Sequence, residues 1–349
     1  MKFESANKHE YKSVLVTGGA GFIGSNFLNT VVTRYPNTNW INLDCLNYCS
    51  SPNGITVGGC PNYIFVYGRI QDSALVTGII NNFGVDCIIH FAAQSHVDNS
   101  FWAPGVFIDD NIVGTATLLE CCRNAGHKIQ KFVYCSTDEV YGDSTLNGGN
   151  SNAKTEICAV NPTNPYAASK AAGEMMCLAY FHSFGVPIVI TRSNNVYGPN
   201  QYAEKLVPRF IGLLASGGKC TIHGDGGMLR SWLHVDDLCS AMEIIVSSGN
   251  VGEVYNIGSD AEYSVNQIAV MLVAYILQTA DVDGHCEYVQ DRVFNDTRYL
   301  VDSSKLCALG WTQKVPFIWG LSKTVDWYLE KLGKDKCDSS QCSWESIEP

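Results

Sequence analysis

Apolar strand-like runs alternating with helical stretches, a glycine-rich turn after the first run, and an acidic residue closing the second predict an α/β chain. The expected architecture is a Rossmann-type doubly wound parallel sheet with a smaller, partly interleaved α/β lobe. The 349 residues, 46% of them hydrophobic and 16% charged, suffice for one large domain or two smaller ones with a real core.

The elements follow in order. Ser13–Val16 is a short apolar strand that runs into Thr17-Gly18-Gly19-Ala20-Gly21-Phe22-Ile23-Gly24. A helical stripe of Ile23, Phe27 and Val31 comes next. Gly18, Gly21 and Gly24 thus sit where a strand turns into a helix, and glycines there let the backbone approach a pyrophosphate resting on the helix N-terminus. The strand Trp40–Asp44 ends in a carboxylate 20 positions after Gly24. That spacing suits a group that holds ribose hydroxyls and repels a 2′-phosphate, which favours NAD over NADP. Tyr63–Tyr67, Cys87–Phe91, Phe132–Cys135 and Pro187–Thr191 read as further buried strands, with helical stretches such as Gly114–Ala125 between them. Ligands of such sheets bind at the carboxyl ends of the strands. The glycine turn, Phe91–Ser95, Ser136–Glu139 and Ser193–Asn195 are therefore expected to share one crevice.

The stretch Tyr134–Glu174 carries the candidate chemistry. Asn164 suits a helix N-cap and Pro165 the first helical position, which places Tyr166 and Lys170 one turn apart on one face. An ammonium beside a phenol favours the phenolate, a proton acceptor. Asp138 and Glu139 follow the apolar run Lys131–Cys135. Two adjacent carboxylates just past a strand end point to acid–base chemistry or a metal, because burying them otherwise is costly. Either pair alone is an ordinary surface feature; the glycine turn gives both their weight.

After Gly198 the texture changes. Lys205–Pro208, His223–Gly226 and Arg230–Trp232 read as loops, followed by a strand Glu253–Ile257, a helix Val265–Leu277 and a helical pattern from Trp319 to Tyr328. The expected division is 12–198 for the dinucleotide-binding domain with the catalytic residues, 199–328 for a mainly substrate-binding lobe with segments returning to the sheet, and 329–349 for a polar, disordered tail.

The net charge of −11 argues against a nucleic-acid partner. No apolar run is long enough to span a membrane, and Met1–Tyr11 lacks the apolar core of a signal peptide. The 15 cysteines lie mostly inside apolar runs, which suits free thiols in a reducing cytoplasm. Neither Cys45 and Cys49 nor Cys337 and Cys342 has zinc-knuckle spacing, so no metal is expected.

Taken together, T-G-G-A-G-F-I-G at Thr17, H-F-A-A-Q-S-H-V-D at His90, S-T-D-E-V-Y-G at Ser136, N-P-Y-A-A-S-K at Asn164, N-N-V-Y-G-P at Asn194 and N-D-T-R-Y at Asn295 resemble the extended short-chain dehydrogenase/reductase family. The closer resemblance is to its nucleotide-diphosphate-glucose 4,6-dehydratases, over residues 12 to 328. Thr137-Asp138-Glu139 decides this, because related epimerases carry small or neutral residues there. The resemblance implies that Tyr166, helped by Lys170, takes the C4 hydroxyl proton as hydride leaves for NAD. Glu139 then removes the C5 proton, Asp138 protonates the departing C6 hydroxyl, and Thr137 bonds the C4 oxygen. Hydride returns to C6, giving a 4-keto-6-deoxy sugar.

It further implies NAD contacts at Gly18, Gly21, Phe22, Ile23, Gly24 and Asp44, at Arg69 and Ile70, at Phe91, Ala92, Ala93 and Ser95, and at Tyr166, Lys170 and Asn195. Substrate contacts fall on Ser95, His96, Thr137 and Asn194, then on Lys205, Leu206, His223 and Arg230, and finally on Asn256, Arg292, Asn295 and Tyr299. The chain departs from the pattern at Gly68-Arg69-Ile70, where the family has an aspartate near the adenine, and at Arg292-Val293, where it has Arg-Pro. Both UDP-glucose and dTDP-glucose fit the family; V-D-N-S at Val97, I-H-G-D-G at Ile222 and F-N-D at Phe294 lean toward UDP and rhamnose-type synthesis.

Helices around Asn111–Cys122 and Tyr166–Phe181 carry more apolar residues than one sheet face covers, and relatives pair the matching helices, so a homodimer is expected. Two readings compete. A UDP-sugar 4-epimerase or UDP-glucuronate decarboxylase needs no acid at C6, and a catalytically inactive NAD-binding scaffold typically loses the Tyr-Lys pair.

Overall fold

The computed structural model describes residues 11–144, 153–291 and 296–333. Its strands, in chain order, are β1 (Ser13–Thr17), β2 (Asn39–Asp44), β3 (Tyr63–Tyr67), β4 (Cys87–His90), β5 (Lys131–Thr137), β6 (Ile188–Ser193), β7 (Asn195–Tyr197), β8 (Cys220–His223), β9 (Leu229–His234), β10 (Val254–Ile257), β11 (Glu262–Ser264), β12 (Cys286–Val289) and β13 (Arg298–Tyr299). Seven of them form one parallel sheet in the order β10-β6-β5-β4-β1-β2-β3. Val14 of β1 pairs with Trp40 on one side and Cys87 on the other, so the strand order reverses at β1. A crevice opens at such a reversal, above the carboxyl ends of the strands.

The inner strands β1, β4, β5 and β6 are buried along their whole length, as strands covered on both faces must be. Successive side chains point to opposite faces. Val14, Val16, Ile89, Val133 and Val189 meet α1 (Phe22–Arg34) and the later helix Val235–Ser248. Leu15, Ile41, Ile88, Phe132 and Ile190 share the opposite core with α2 (Ser73–Asn82) and with the helices Gly114–Arg123 and Pro165–Phe184. The edge strand β3 leaves Phe65 and Tyr67 exposed.

Two short helices, α3 (Val97–Trp102) and α4 (Pro104–Phe107), lead through a π-helical turn, Ile108–Val113, into α5 (Gly114–Arg123). Helix α6 (Pro165–Phe184) starts where Asn164 and Pro165 predict: the Asn164 side chain accepts a hydrogen bond from the Ala167 amide, and Gly185 ends the helix at φ +70°.

Beyond β6 the chain enters a second, smaller sheet, β11-β9-β13 with β7 beside β9, and a two-stranded ladder of β8 and β12. Helix α7 (Leu206–Ala215) is followed by α8 (Val235–Ser248), α9 (Val265–Leu277), α10 (Ser304–Cys307) and α11 (Phe317–Lys331). Phe210, Leu214, Met271, Leu272, Phe317 and Val325 from α7, α9 and α11 fill this lobe's own core. Strand β10, although late in the chain, lies in the large sheet beside β6.

Several elements differ from expectation. Lys205–Pro208, read as loop, caps and begins α7; Pro208 is tolerated because the first helical turn needs no amide donors there. Arg230–Trp232 is not loop but the middle of β9. Helix α11 runs three residues beyond the expected end of the folded chain, to Lys331, and residues 334–349 lie outside the described ones. Among the described residues no helix is long and apolar enough to cross a membrane. The 13 described cysteines are free thiols, and no cluster of His, Cys, Asp and Glu in the described residues is placed to hold a metal.

Candidate active site

One cavity of about 450 Å³ runs along the carboxyl ends of the large sheet and under the smaller lobe. At one end lies the turn between β1 and α1. Gly18 has φ +72°, and a Cβ there would stand 2.6 Å from the Ala92 backbone; one on Gly24 would stand 2.4 Å from the Gly18 carbonyl oxygen. Only glycine lets these three segments close together. Gly21 precedes the first turn of α1, whose free amides face the cavity end. Asp44 closes β2 in a buried position; Oδ2 accepts from the Ala20 amide at 2.9 Å, and Oδ1 from the Leu46 amide at 2.8 Å and the Ser50 hydroxyl at 3.1 Å. Phe22, Ile23, Ile70, Phe91, Ala92, Ala93, Ser95 and Asn195 also line the wall. Arg69 lines it too, and its guanidinium is committed to Asp109 at 3.2 Å and Asp110 at 2.7 Å.

At the centre, β5 ends in Thr137 and a single 3₁₀ turn holds Asp138 and Glu139. Asp138 is only 2% exposed and sits just behind the cavity wall formed by Thr137 and Glu139. Its carboxyl is pushed up to about 7, first by burial and then by the charge of Glu139, against the pull of hydrogen bonds from Asn194 and Thr137. Glu139 is raised as well, mainly by burial, while the Asn164 amide, 3.0 Å away, pulls it down.

Tyr166 and Lys170 both face the cavity from α6. Their electrostatics differ from expectation. Burial and then Glu139 raise the Tyr166 phenol, against the pull of a hydrogen bond with Thr137. The Lys170 ammonium, brought down to about 8 by burial, lies 4.3 Å from the centre of the Tyr134 ring. The i, i+4 spacing alone therefore does not ready the phenolate.

The smaller lobe supplies the other end. Lys205, Leu206, His223, Arg230 and Tyr299 line the cavity, as do Ser95 and His96 from the large sheet. Lys205 Nζ donates to the Ser95 carbonyl at 2.7 Å and ties the lobes together. Arg230 is steadied by the carbonyls of Leu229 and Asp296, both at 2.8 Å, and stacks over Tyr299, which bonds Asp296. Arg292 and Asn295 lie outside the described residues. Asn256 is a correction: it is 0% exposed and absent from the cavity wall. Its oxygen accepts from Tyr141 at 2.8 Å and its amide donates to the carbonyls of Lys154 and Asp302, so its polarity is consumed inside the fold.

The profile of the GDP-mannose 4,6 dehydratase family matches residues 15–324. The human dTDP-D-glucose 4,6-dehydratase is 44% identical over 325 residues, which cover 92% of this chain and 91% of that protein. The chain belongs to the nucleotide-diphosphate-glucose 4,6-dehydratases. These are NAD-dependent lyases of the short-chain dehydrogenase/reductase type. A trifunctional Arabidopsis thaliana protein, a UDP-glucose 4,6-dehydratase, UDP-4-keto-6-deoxy-D-glucose 3,5-epimerase and UDP-4-keto-L-rhamnose-reductase, is 44% identical over 322 residues, 91% of this chain and 47% of that one. The chain thus spans about half the length of such plant relatives. The Streptomyces venezuelae dTDP-glucose 4,6-dehydratase DesIV, solved with NAD and TYD bound, superposes with a TM-score of 0.86 at 39% identity, over 92% of this chain and 98% of that one.

Two residues of the site make bonds to the acid pair that motif reading missed. Asn164 caps α6 with its oxygen and holds Glu139 with its amide. Asn194, expected to meet substrate, lines the cavity but spends its amide on Asp138 Oδ2 at 2.6 Å and its oxygen on the Ser259 amide at 3.1 Å. The helix-cap signal was available for the first; nothing local announces the second.

Proposed function

We propose that the protein dehydrates UDP-glucose or dTDP-glucose to the 4-keto-6-deoxy sugar, with NAD recycled inside each turnover. One observation carries the reading: a buried aspartate, pushed up to about 7, and a half-buried glutamate on the cavity wall at the end of β5, beside a buried tyrosine at the same cavity. An epimerase or decarboxylase needs no acid to expel a C6 hydroxyl, and an inactive scaffold needs no such pair.

The turn at Gly18 fits a pyrophosphate, and Asp44 fits the adenosine ribose. When bound, NAD would supply the oxidant for C4 and the reductant for C6. Tyr166 takes the C4 hydroxyl proton, with Lys170 behind it. Thr137 hydrogen-bonds the C4 oxygen. The raised Glu139 is a stronger base than an exposed glutamate, as removal of the C5 proton requires. Asp138, half-protonated near neutrality, gives its proton to the departing C6 hydroxyl. Lys205 and Arg230 offset the diphosphate charge, with His96 and His223 on the same wall.

The stretches Val97–Ser100 and Ile222–Gly226 favour the uridine substrate, and the plant relatives named for UDP sugars support a rhamnose-type pathway. A cytoplasmic location is supported by the free thiols. A homodimer is supported by exposed apolar side chains on successive helices, among them Trp102, Val106, Ile108, Val113, Met175 and Phe184. Light scattering is expected to give twice the chain mass. Incubation with each nucleotide sugar, followed by mass spectrometry, is expected to show loss of one water without added reductant. Intact sugar in both reactions would overturn the assignment.

A further inference from the structure

Past Asp44, the cavity is bounded by the end of β3 and by the π-helical turn before α5. Arg69, Gln71, Gln94 and Asp110 all line it there. Three donors converge on one carboxylate. Arg69 Nη2 and Gln71 Nε2 each reach Asp110 Oδ1 at 2.7 Å, and Gln94 Nε2 reaches Oδ2 at 2.7 Å. The π turn sets the position: the Gly114 amide bonds the Asp109 carbonyl five residues back, a wider loop than an α-helix makes. The next residue, Asn111, is fastened by Gln94 at 2.8 and 3.0 Å and by Ser169 at 2.8 Å. Asp110 is therefore held from its own backbone and from three other side chains.

A dinucleotide laid across the strand ends places its pyrophosphate at the glycine turn, its ribose at the end of β2, and its base farther out, over the end of β3. Ile70 and Ala92 give that place apolar walls. Each carboxylate oxygen has two acceptor positions. Oδ1 of Asp110 receives two donors and Oδ2 one, which leaves an acceptor position on Oδ2. Adenine presents an amino donor at its 6-position, whereas hypoxanthine and guanine present a carbonyl acceptor.

We propose that Asp110, oriented by Arg69, Gln71 and Gln94, accepts the 6-amino group of the cofactor's adenine and so selects an adenine dinucleotide. The assignment rests on the NAD site described above. It makes Asp110 a specificity residue and Arg69 a positioning residue that holds Asp110 Oδ1.

The test uses full-length protein freed of copurified dinucleotide and measures binding of NAD and of nicotinamide hypoxanthine dinucleotide by calorimetry. The unaltered protein should prefer NAD by about tenfold, the size of one hydrogen bond to a charged group. In Asp110→Asn the amide oxygen keeps Arg69 and Gln71, Gln94 loses its acceptor, and an amide N–H takes the place of Oδ2 toward the base, so the preference should fall to about one or reverse. Arg69→Ala should weaken both dinucleotides and keep a preference for adenine. Equal binding by the unaltered protein, or an unchanged ratio in Asp110→Asn, would overturn the proposal, as would Arg69→Ala abolishing the preference while Asp110→Asn retains it. Failure of NAD itself to bind would instead remove the cofactor reading on which the proposal stands.

Discussion

Two pairs of adjacent acids each put one member, Glu139 or Asp110, on the cavity wall, and their surroundings are opposite. Asp138 is buried behind Thr137 and Glu139 is half-buried at the wall, each with an amide as partner, and desolvation pushes both carboxyls upward. Asp109 and Asp110 sit on a helix surface with the Arg69 guanidinium between them. The first pair is arranged to hold and release protons; the second is arranged to accept hydrogen bonds. Sequence alone presents both as two carboxylates in a row. The role is set by desolvation and by whether a cation is near.

The largest expected effect breaks the first pair. Asp138→Asn removes the proton that the C6 hydroxyl needs, and turnover should drop about 10²–10⁴-fold. Oxidation at C4 should survive, so the near-ultraviolet absorbance of reduced nicotinamide should build up on adding substrate. Tyr166→Phe should lose turnover to a similar extent with no such absorbance.

A smaller effect sharpens the comparison. The proposed acid role requires Asp138 protonated, so turnover should decline as pH rises through about 7. Asn194→Ala deletes a hydrogen bond that lowers this carboxyl. The alkaline limb of the profile should move to higher pH while turnover falls by about tenfold. A profile that keeps its limb would sever Asn194 from the acid.

Stability should change in the opposite sense to activity. The folded carboxyl of Asp138 titrates near 7, above its ordinary 3.8, so its protonated form favours the fold. That contribution is complete below about pH 4 and is lost as pH rises through 7. Asp138→Asn should therefore be more stable than the unaltered protein at about pH 8, by about 1–3 kcal/mol, with the gap closing in acid. Denaturant titrations at the two pH values would measure it.

The smallest effect belongs to the outer member of the second pair. The Asp109 side chain is 55% exposed and its partner Arg69 52% exposed. Asp109→Asn should alter stability by less than about 0.5 kcal/mol, a difference that thermal melts should barely resolve.

Local patterns made much of the molecule legible. The glycine turn, the buried strand runs and the Asn164-Pro165 start of α6 depend on neighbours a few residues away, and the structure has each of them. The readings that failed depend on distant neighbours. Arg230–Trp232 becomes a strand only because β7, β11 and β13 flank it. The resemblance assigns Asn256 to the substrate, yet three partners far along the chain consume its polarity. Lys170 has the right spacing from Tyr166, yet the Tyr134 ring on the neighbouring strand holds its charge. The bond between Asn194 and Asp138 spans 56 positions and leaves no periodic trace in the sequence.

Strand β6 belongs to the large sheet and ends at Ser193, while β7 belongs to the small one and begins at Asn195. Asn194 is the single link between them, and it is also the residue that holds the carboxylate of Asp138. A tilt of one sheet against the other therefore twists the chain at the acid's own tether. Any motion that opened the cavity between the lobes would therefore also bear on the bond that orients the Asp138 carboxyl.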